Sequence, residues 1–431
     1  MSAPRIYPAT NLVFLNRVYP PAEGATGELL QELAIALAND NWPVTIVTSR
    51  PSVGPSSPSD PPRSEPGSPE RQSVRVERVR GLPFTRANHL KRALSYVSLY
   101  PALFWRAVRV SPGRGGTIVT LTDPPLLLVL GPILKWVKKC RLIHWAQDIY
   151  PEVAEELGVV RKGGWLAGLL RMLSTWALRR HDLIIVVGRC MKQRLVQRGI
   201  APEKIVIVAN WAQAGPPGAA REKSLACSGE GFRTRHGFFD RFVVMYSGNF
   251  GLAHPFEAIV AVIADLEKTA PQILFVFIGS GPRLTWLKEE LKDRIHVRFL
   301  PFQPKENLRE SLASADLHLA SMSENLCGLV VPSKVYGILA AGRPCVFIGP
   351  KESEAAQILR EFDCGTVIGG TDHAGLTSAI RKFASDPNRL NQARRNTGNA
   401  MKTNNFANAL SAFKAAVKLA EKTTDSNSLS R

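Results

Sequence analysis

Apolar positions along this chain fall into short buried runs separated by helical stripes. NLVFLN (11–16) reads as a buried strand, TGELLQELAIALAND (26–40) sets Leu29, Leu30, Leu33 and Leu37 on one helical face, and PVTIVTS (43–49) is the next strand. Strand, helix and strand in that order form a βαβ unit, which implies a parallel sheet. SVRVERV (73–79) alternates with period two, and TIVTLTDPP (117–125), RLIHWAQD (141–148), DLIIVVG (182–188) and KIVIVAN (204–210) continue the series. A polar stretch bearing Gly and Pro at 211–240 interrupts it. A second alternation follows: FVVMYSGN (242–249), a helix around FEAIVAVIADLEK (256–268), ILFVFIGSG (273–281), IHVRFLPF (295–302), DLHLAS (316–321) and PCVFIG (344–349). The pattern predicts an α/β protein with two doubly wound, Rossmann-like domains, at 1–210 and 225–400. A final helix at 405–422 carries Phe406, Leu410, Phe413 and Val417 on one stripe, and the last nine residues read as a polar tail. Within the first domain, residues 51–69 hold 15 Pro, Ser or Gly among 19 positions and read as a flexible loop.

Length agrees with two domains, since 431 residues exceed one ordinary core. The charge of +19 suits a phosphorylated substrate, an anionic membrane surface or nucleic acid. The cations are scattered over both halves, and no RNA or DNA motif is present, which disfavours a basic nucleic-acid-binding protein. Six cysteines, with no Cys-x-x-Cys among them, read as reduced core residues. No signal peptide is expected, and no run is long enough to span a bilayer. The segment 93–105, flanked by Lys91, Arg92, Arg106 and Arg109, has two readings: a core helix, or a helix lying in the membrane interface.

Four stretches carry candidate chemistry. In YPPAEGATGELLQEL (19–33), Gly24 and Gly27 form a turn into a helix whose N–H groups favour a phosphate; the plain alternative is a βα turn capped by Thr26. MYSGNFGLAHPFE (245–257) repeats the strand–turn–helix arrangement with Gly248, Asn249 and Gly251. His254 there is placed either to donate to a phosphate or to cap the helix. FIGSGPRLTWL (277–287) offers Gly279 and Gly281, but Leu284 stands where a dinucleotide fingerprint needs its third glycine, which disfavours a nicotinamide cofactor. In SMSENLCGLVVPSKVYGILAAGRP (321–344), Gly328, Leu329 and Val330 sit at the mouth of the sheet. Ser333 and Lys334 present a hydroxyl and a cation there, Glu324 is a carboxylate for sugar hydroxyls, and a small-residue run allows close helix packing.

GLVVPSKVYGILAAGRP, YSGNFGLAHPFE, the GATG turn and WAQDIYPEVAEELGVV (145–160) together resemble the bacterial family 4 glycosyltransferases. The subgroup is that of colanic-acid and fucosamine transferases, and the likeness runs from about residue 10 to 420. The resemblance implies the GT-B fold, two Rossmann-like domains facing a central cleft, with the last helix packing back on the first domain. It places the nucleotide-sugar on Gly248, Asn249, Gly251, His254, Gly279, Gly281, the 328–330 turn, Ser333 and Lys334, with Gly24 and Gly27 approaching from the other domain. Asp148 and Glu324 become the catalytic candidates. It implies a retaining hexosyl or N-acetylhexosaminyl transferase using a UDP-sugar. The acceptor would be an undecaprenyl-diphosphate-linked saccharide, and the enzyme would be peripheral on the anionic inner face of the cell membrane. The fold also admits a nucleotide-sugar 2-epimerase.

The chain departs from the family twice. Gly337 stands where relatives carry a ribose-binding glutamate, and Gln147-Asp148 where many have His-Asp. No Asp-x-Asp occurs, so the leaving diphosphate would be neutralised by helix N-termini, Lys334 and His254. Neither a metal nor a cofactor is expected, the nucleotide-sugar being a substrate.

Overall fold

The computed structural model describes residues 10–22, 24–51, 74–82, 89–212 and 228–429. Beyond Pro51, the proposed 51–69 loop lies outside the described residues, as does Cys227. Contacts divide the chain into two compact units: Met1–Val187 with Leu195–Val208 and Leu410–Arg431, and Gly188–Arg194 with Ala209–Ala409.

The first unit contains β1 (Leu12–Leu15), α1 (Ala25–Asn39), β2 (Val44–Ser49), β3 (Arg75–Val79), α2 (His89–Val110), β4 (Thr117–Thr120) and α3 (Leu130–Lys138). It continues through β5 (Arg141–Ala146), α4 (Glu152–Glu156), α5 (Trp165–Arg180), β6 (Leu183–Val186), α6 (Arg189–Gln197), which groups with the second unit as far as Arg194, and β7 (Ile205–Ile207). The sheet is parallel in the order β3-β2-β1-β4-β5-β6-β7. Strand side chains alternate between faces. Val13 and Leu15 therefore meet Leu99 and Leu103 of α2 and Leu134 of α3 in one core cluster. Phe14 points to the other face.

The second unit holds α7 (Glu230–His236), β8 (Phe242–Asn249), α8 (Glu257–Thr269), β9 (Ile273–Ser280), α9 (Leu284–Glu290), β10 (Val297–Leu300), α10 (Lys305–Ala313) and β11 (Leu317–Ser321). It is completed by α11 (Lys334–Ala340), β12 (Cys345–Ile348), α12 (Glu354–Glu361), β13 (Gly365–Ile368), α13 (His373–Ser385) and α14 (Pro387–Thr403). Its parallel sheet runs β10-β9-β8-β11-β12-β13. Val244, Tyr246, Phe275 and Phe277 form the core with α8 on one face, while Val243, Met245, Leu274 and Val276 pack with Phe232 and Phe238 on the other. Burial on both faces explains the continuous apolar runs.

In each unit the chain begins mid-sheet, so two adjacent strands, β1 and β4 or β8 and β11, send their connections in opposite directions. Ligands of such sheets bind beyond the carboxyl ends of those strands. The last helix, α15 (Phe406–Leu429), extends into the residues expected as a tail. Its Phe413 is fully buried, with ring centroids 5.9 Å from Phe14 and 5.7 Å from Trp145.

Candidate active site

In the second unit β8 and β9 run together to their carboxyl ends, with Gly248 opposite Gly279 and Asn249 opposite Ser280. Gly279 and Gly281 hold φ of +138° and +150°, which favours glycine. A Cβ on Gly279 would lie 2.0 Å from the Gly248 carbonyl oxygen, and one on Gly281 2.6 Å from Asn249 Oδ1. These glycines let the strand ends converge and seat Asn249 above them. Gly251 leaves room in the same way: its absent Cβ would be 3.2 Å from Asn249 Nδ2 and 3.8 Å from His254 Cδ2.

Lys334 opens α11, and its Nζ donates to the Tyr246 hydroxyl while lying 4.0 Å from that ring's centroid. The hydroxyl donates onward to the Asn249 carbonyl at 3.2 Å. A Cβ on Gly248 would stand 3.7 Å from Nζ, so the ammonium reaches the glycine turn itself. Burial disfavours the charged form and lowers the lysine to about 7.

His254 Nδ1 lies 2.5 Å from the Ser321 carbonyl oxygen. A carbonyl only accepts, so Nδ1 carries the proton and Nε2 presents a lone pair. Burial, then the Lys334 charge, push the ring down to about 3 and keep it neutral. His254 does not cap α8, whose N-cap is Phe256. With Nδ1–H committed to the Ser321 carbonyl, the neutral ring presents Nε2 as an acceptor; donation from Nε2 to a phosphate requires the imidazolium form, which an adjacent anion favours.

The 328–330 turn is engaged internally. Gly328 sits at φ +72°, where a Cβ would meet the Cys190 carbonyl oxygen at 2.8 Å. Leu329 is fully buried, and the amides of Leu329 and Val330 donate to the Leu326 carbonyl at 3.0 and 3.3 Å. The turn thus supplies shape rather than N–H donors. Ser333 is the N-cap of α11, exposed and making no side-chain cap bond. Glu324 is exposed and accepts from Gly370 N–H at 3.4 Å.

In the first unit, Gly24 and Gly27 are close-approach positions. Cβ atoms there would fall 2.9 Å from Val18 Cγ1 and 2.8 Å from the Val18 carbonyl oxygen respectively. Gly24 is the N-cap of α1 with no side-chain cap bond, and Thr26 lies inside the helix, so the expected Thr26 cap is not made. Asp148, just past β5, is half-buried; desolvation first and then the Asp123 charge raise its carboxyl to about 7. Asp123 is itself clamped by Arg17, Nε to Oδ1 at 2.7 Å and the second guanidinium nitrogen to Oδ2 at 2.8 Å.

Seven of the predicted residues, Gly248, Asn249, Gly251, His254, Gly279, Gly281 and Lys334, therefore come together at the ends of β8, β9 and β11. Tyr246 and the Ser321 carbonyl were not anticipated, nor was the Arg17–Asp123 pair. Arg17 had one available signal: it is the first charged residue after β1, at the sheet's switch point.

Residues 24–211 match the glycosyl transferase 4-like domain, and residues 232–400 the glycosyl transferases group 1 domain. A probable glycosyltransferase, WbjE of Pseudomonas aeruginosa, is 28% identical over 62% of this chain and 66% of its own length. The putative colanic acid biosynthesis glycosyl transferase WcaI of Escherichia coli is 24% identical over 62% of this chain and 64% of its own. Both matches span just under two thirds of the relative. Among solved structures, Anabaena HepE in complex with UDP and glucose superposes with a TM-score of 0.65 at 14% identity, over 97% of this chain and 99% of that one. Two parallel α/β units with this likeness make the architecture GT-B. The chain belongs to the bacterial family 4 glycosyltransferases, a glycosyl transferase 4-like half followed by a group 1 half.

Proposed function

We propose that the protein moves a hexosyl or N-acetylhexosaminyl group from UDP to a lipid-linked saccharide during cell-envelope polysaccharide synthesis. The observation that carries this reading is Lys334: a desolvated ammonium held over the Gly248 turn by a neutral tyrosine, with no ion pair to a carboxylate among the described residues. A diphosphate leaving group is the anion that would complete it, and Lys334 would meet the charge that builds as the glycosidic bond to the phosphate breaks.

His254 Nε2, an acceptor, suits a sugar hydroxyl near the reacting carbon. Ser333 offers its hydroxyl to the ribose or phosphate, and Glu324 its carboxylate to the sugar. Asp148, with a carboxyl titrating near neutrality, takes the proton of the attacking acceptor hydroxyl. The chain has no Asp-x-Asp, and on that ground we read the donor site as metal-independent. Retention at the anomeric carbon follows family practice. The UDP base is supported by the HepE complex, and the polysaccharide role by the colanic-acid relative. An undecaprenyl-diphosphate-linked acceptor would place the enzyme on the inner face of the membrane. Among the described residues no helix is long and apolar enough to cross one.

The test is thermal stabilisation by UDP, GDP, ADP and UMP, with and without magnesium. Ligand at 100 times its dissociation constant adds ~2.7 kcal/mol of apparent stability. A UDP shift that needs no magnesium and disappears in Lys334→Ala supports the donor site. No shift with any nucleotide sinks it.

A further inference from the structure

Three helices of the first unit share one flank. The connections β3→β4, β4→β5 and β5→β6 all advance across the sheet in the same direction, so right-handed crossovers put α2, α3 and α5 on one face. The inner stripes of α2 and α3 enter the core through Leu99, Leu103 and Leu134, and α5 turns Ala167, Ala177 and Leu178 inward. Their outer stripes are apolar as well. Val97 and Trp105 on α2 are 62% and 60% exposed, Ile133 and Trp136 on α3 are 42% and 80%, and Trp165 and Met172 on α5 are 82% and 61%. Within each helix the exposed pair is spaced three, seven or eight residues apart, so each stripe points outward from the layer.

The charge carried by these helices has one sign, although Arg106, Lys135 and Arg171 are paired with Glu77, Asp182 and Glu155 of neighbouring segments. None of the three helices contains an Asp or Glu, in a chain that has 36. Arg109, Lys138, Arg179 and Arg180 lie at their ends, and the Arg180 guanidinium stacks 4.7 Å over Trp176. Beside Trp176 and Arg180 lies an open depression of about 420 Å³, lined by guanidinium and apolar surface together.

We propose that this layer is the face on which the protein lies against an anionic bilayer. Trp105, Trp136 and Trp165 enter the headgroup–acyl boundary, where amphipathic rings are favoured, and the terminal cations meet lipid phosphates. A second copy of the chain is a poor occupant, because a self-complementary contact would set like charges opposite each other. Nucleic acid would use the cations and the indoles but leave the Val, Ile and Met surface uncovered. The inference deepens the membrane-held acceptor reading and rests on it for its purpose. The surface itself belongs to the first unit, apart from the donor residues.

The experiment is co-sedimentation of the full chain with phosphatidylcholine vesicles, with and without phosphatidylglycerol, following tryptophan emission in parallel. Two variants are compared with the parent: Trp136→Ser/Trp165→Ser and Lys138→Glu/Arg179→Glu. The parent should bind the anionic vesicles with a blue shift. The serine pair should lose roughly ten-fold or more in partitioning and most of the shift, and the glutamate pair should lose the preference for anionic lipid. Both variants should keep the UDP-dependent thermal shift, which shows that they are folded. Vesicle binding untouched by either pair overturns the proposal, as does a parent that ignores vesicles. A change of oligomeric state or of RNA binding in the serine pair, without loss of vesicle binding, also overturns it. Vesicle binding without any nucleotide shift would leave this face standing and remove the donor reading.

Discussion

Lys334 and Tyr246 share a hydrogen bond and a cation–π contact, the ammonium 4.0 Å from the ring centroid, although they lie on different elements of the second unit. The lysine is therefore anchored without being neutralised. Its folded value of about 7 lies below the ~10.4 of an unfolded lysine. Between those values the unfolded chain binds more protons, so this group makes stability rise with pH from about 7 to about 10, its full cost being felt below 7. Nucleotide diphosphate reverses the preference by favouring the charged form. Lys334→Met should flatten that rise, be at least as stable as the parent at pH 6 without ligand, and lose the UDP shift. Melting curves from pH 6 to 10 decide it; an unchanged pH slope in the variant refutes the assignment.

Asp148 titrates near the same pH from the opposite requirement. Its carboxyl must be ionised to accept a proton, whereas Lys334 must be charged to hold the diphosphate. kcat/KM, which reports the free enzyme, should follow a narrow bell around pH 7, its acidic limb belonging to Asp148 and its alkaline limb to Lys334, whereas bound diphosphate should carry the alkaline limb of kcat to higher pH. Asp148→Asn should remove the acidic limb and lower kcat by about 10²–10⁴-fold with little change in UDP affinity. Initial rates against pH provide the check, and a variant retaining the acidic limb speaks against the role.

Two glycines with positive φ separate backbone freedom from site geometry. At Gly279 an added Cβ meets the Gly248 carbonyl, whereas at Gly237, φ +66°, nothing lies within 4 Å of it. Gly279→Ala should part the ends of β8 and β9, costing about 1–3 kcal/mol and weakening UDP binding. Gly237→Ala should cost about 1–2 kcal/mol in backbone strain alone and leave UDP binding intact. Urea unfolding paired with UDP titration distinguishes them; equal effects on affinity would contradict the site geometry.

Phe413 is fully buried between Phe14 and Trp145. Phe413→Ala should cost about 3–5 kcal/mol, a large share of a domain's stability, while the folded fraction binds UDP normally. Calorimetry with and without UDP measures both.

The alternation of strands and helices was legible because doubly covered parallel strands such as LVFL, LIIV and CVFI must be apolar throughout. β13, GTVI, escaped: it is an edge strand, mostly half-buried, and opens on glycine. The glycine clusters of the site could be read because close approach and positive φ leave few alternatives to glycine. What their amides do could not. Nothing in GLVV says that the Leu329 and Val330 N–H groups are spent on Leu326, nor in GATG that Thr26 falls inside the helix. Lys334 was visible as a cation, but its tyrosine partner is 88 positions earlier and looks like any buried residue of β8. The role of His254 depended on one carbonyl, that of Ser321, which only the folded chain brings within reach.

The return of the chain to the first unit at Leu410 sets an order of events during synthesis. Phe14 and Trp145 emerge early, yet their covering helix follows only after the second unit, roughly 200 residues beyond the last strand of the sheet. At about 5–20 residues per second, the nascent sheet carries a bare aromatic surface for roughly ten to forty seconds. Ribosome-bound chains stalled before residue 410 should therefore recruit holdase chaperones, and chains stalled after α15 has cleared the exit tunnel should release them.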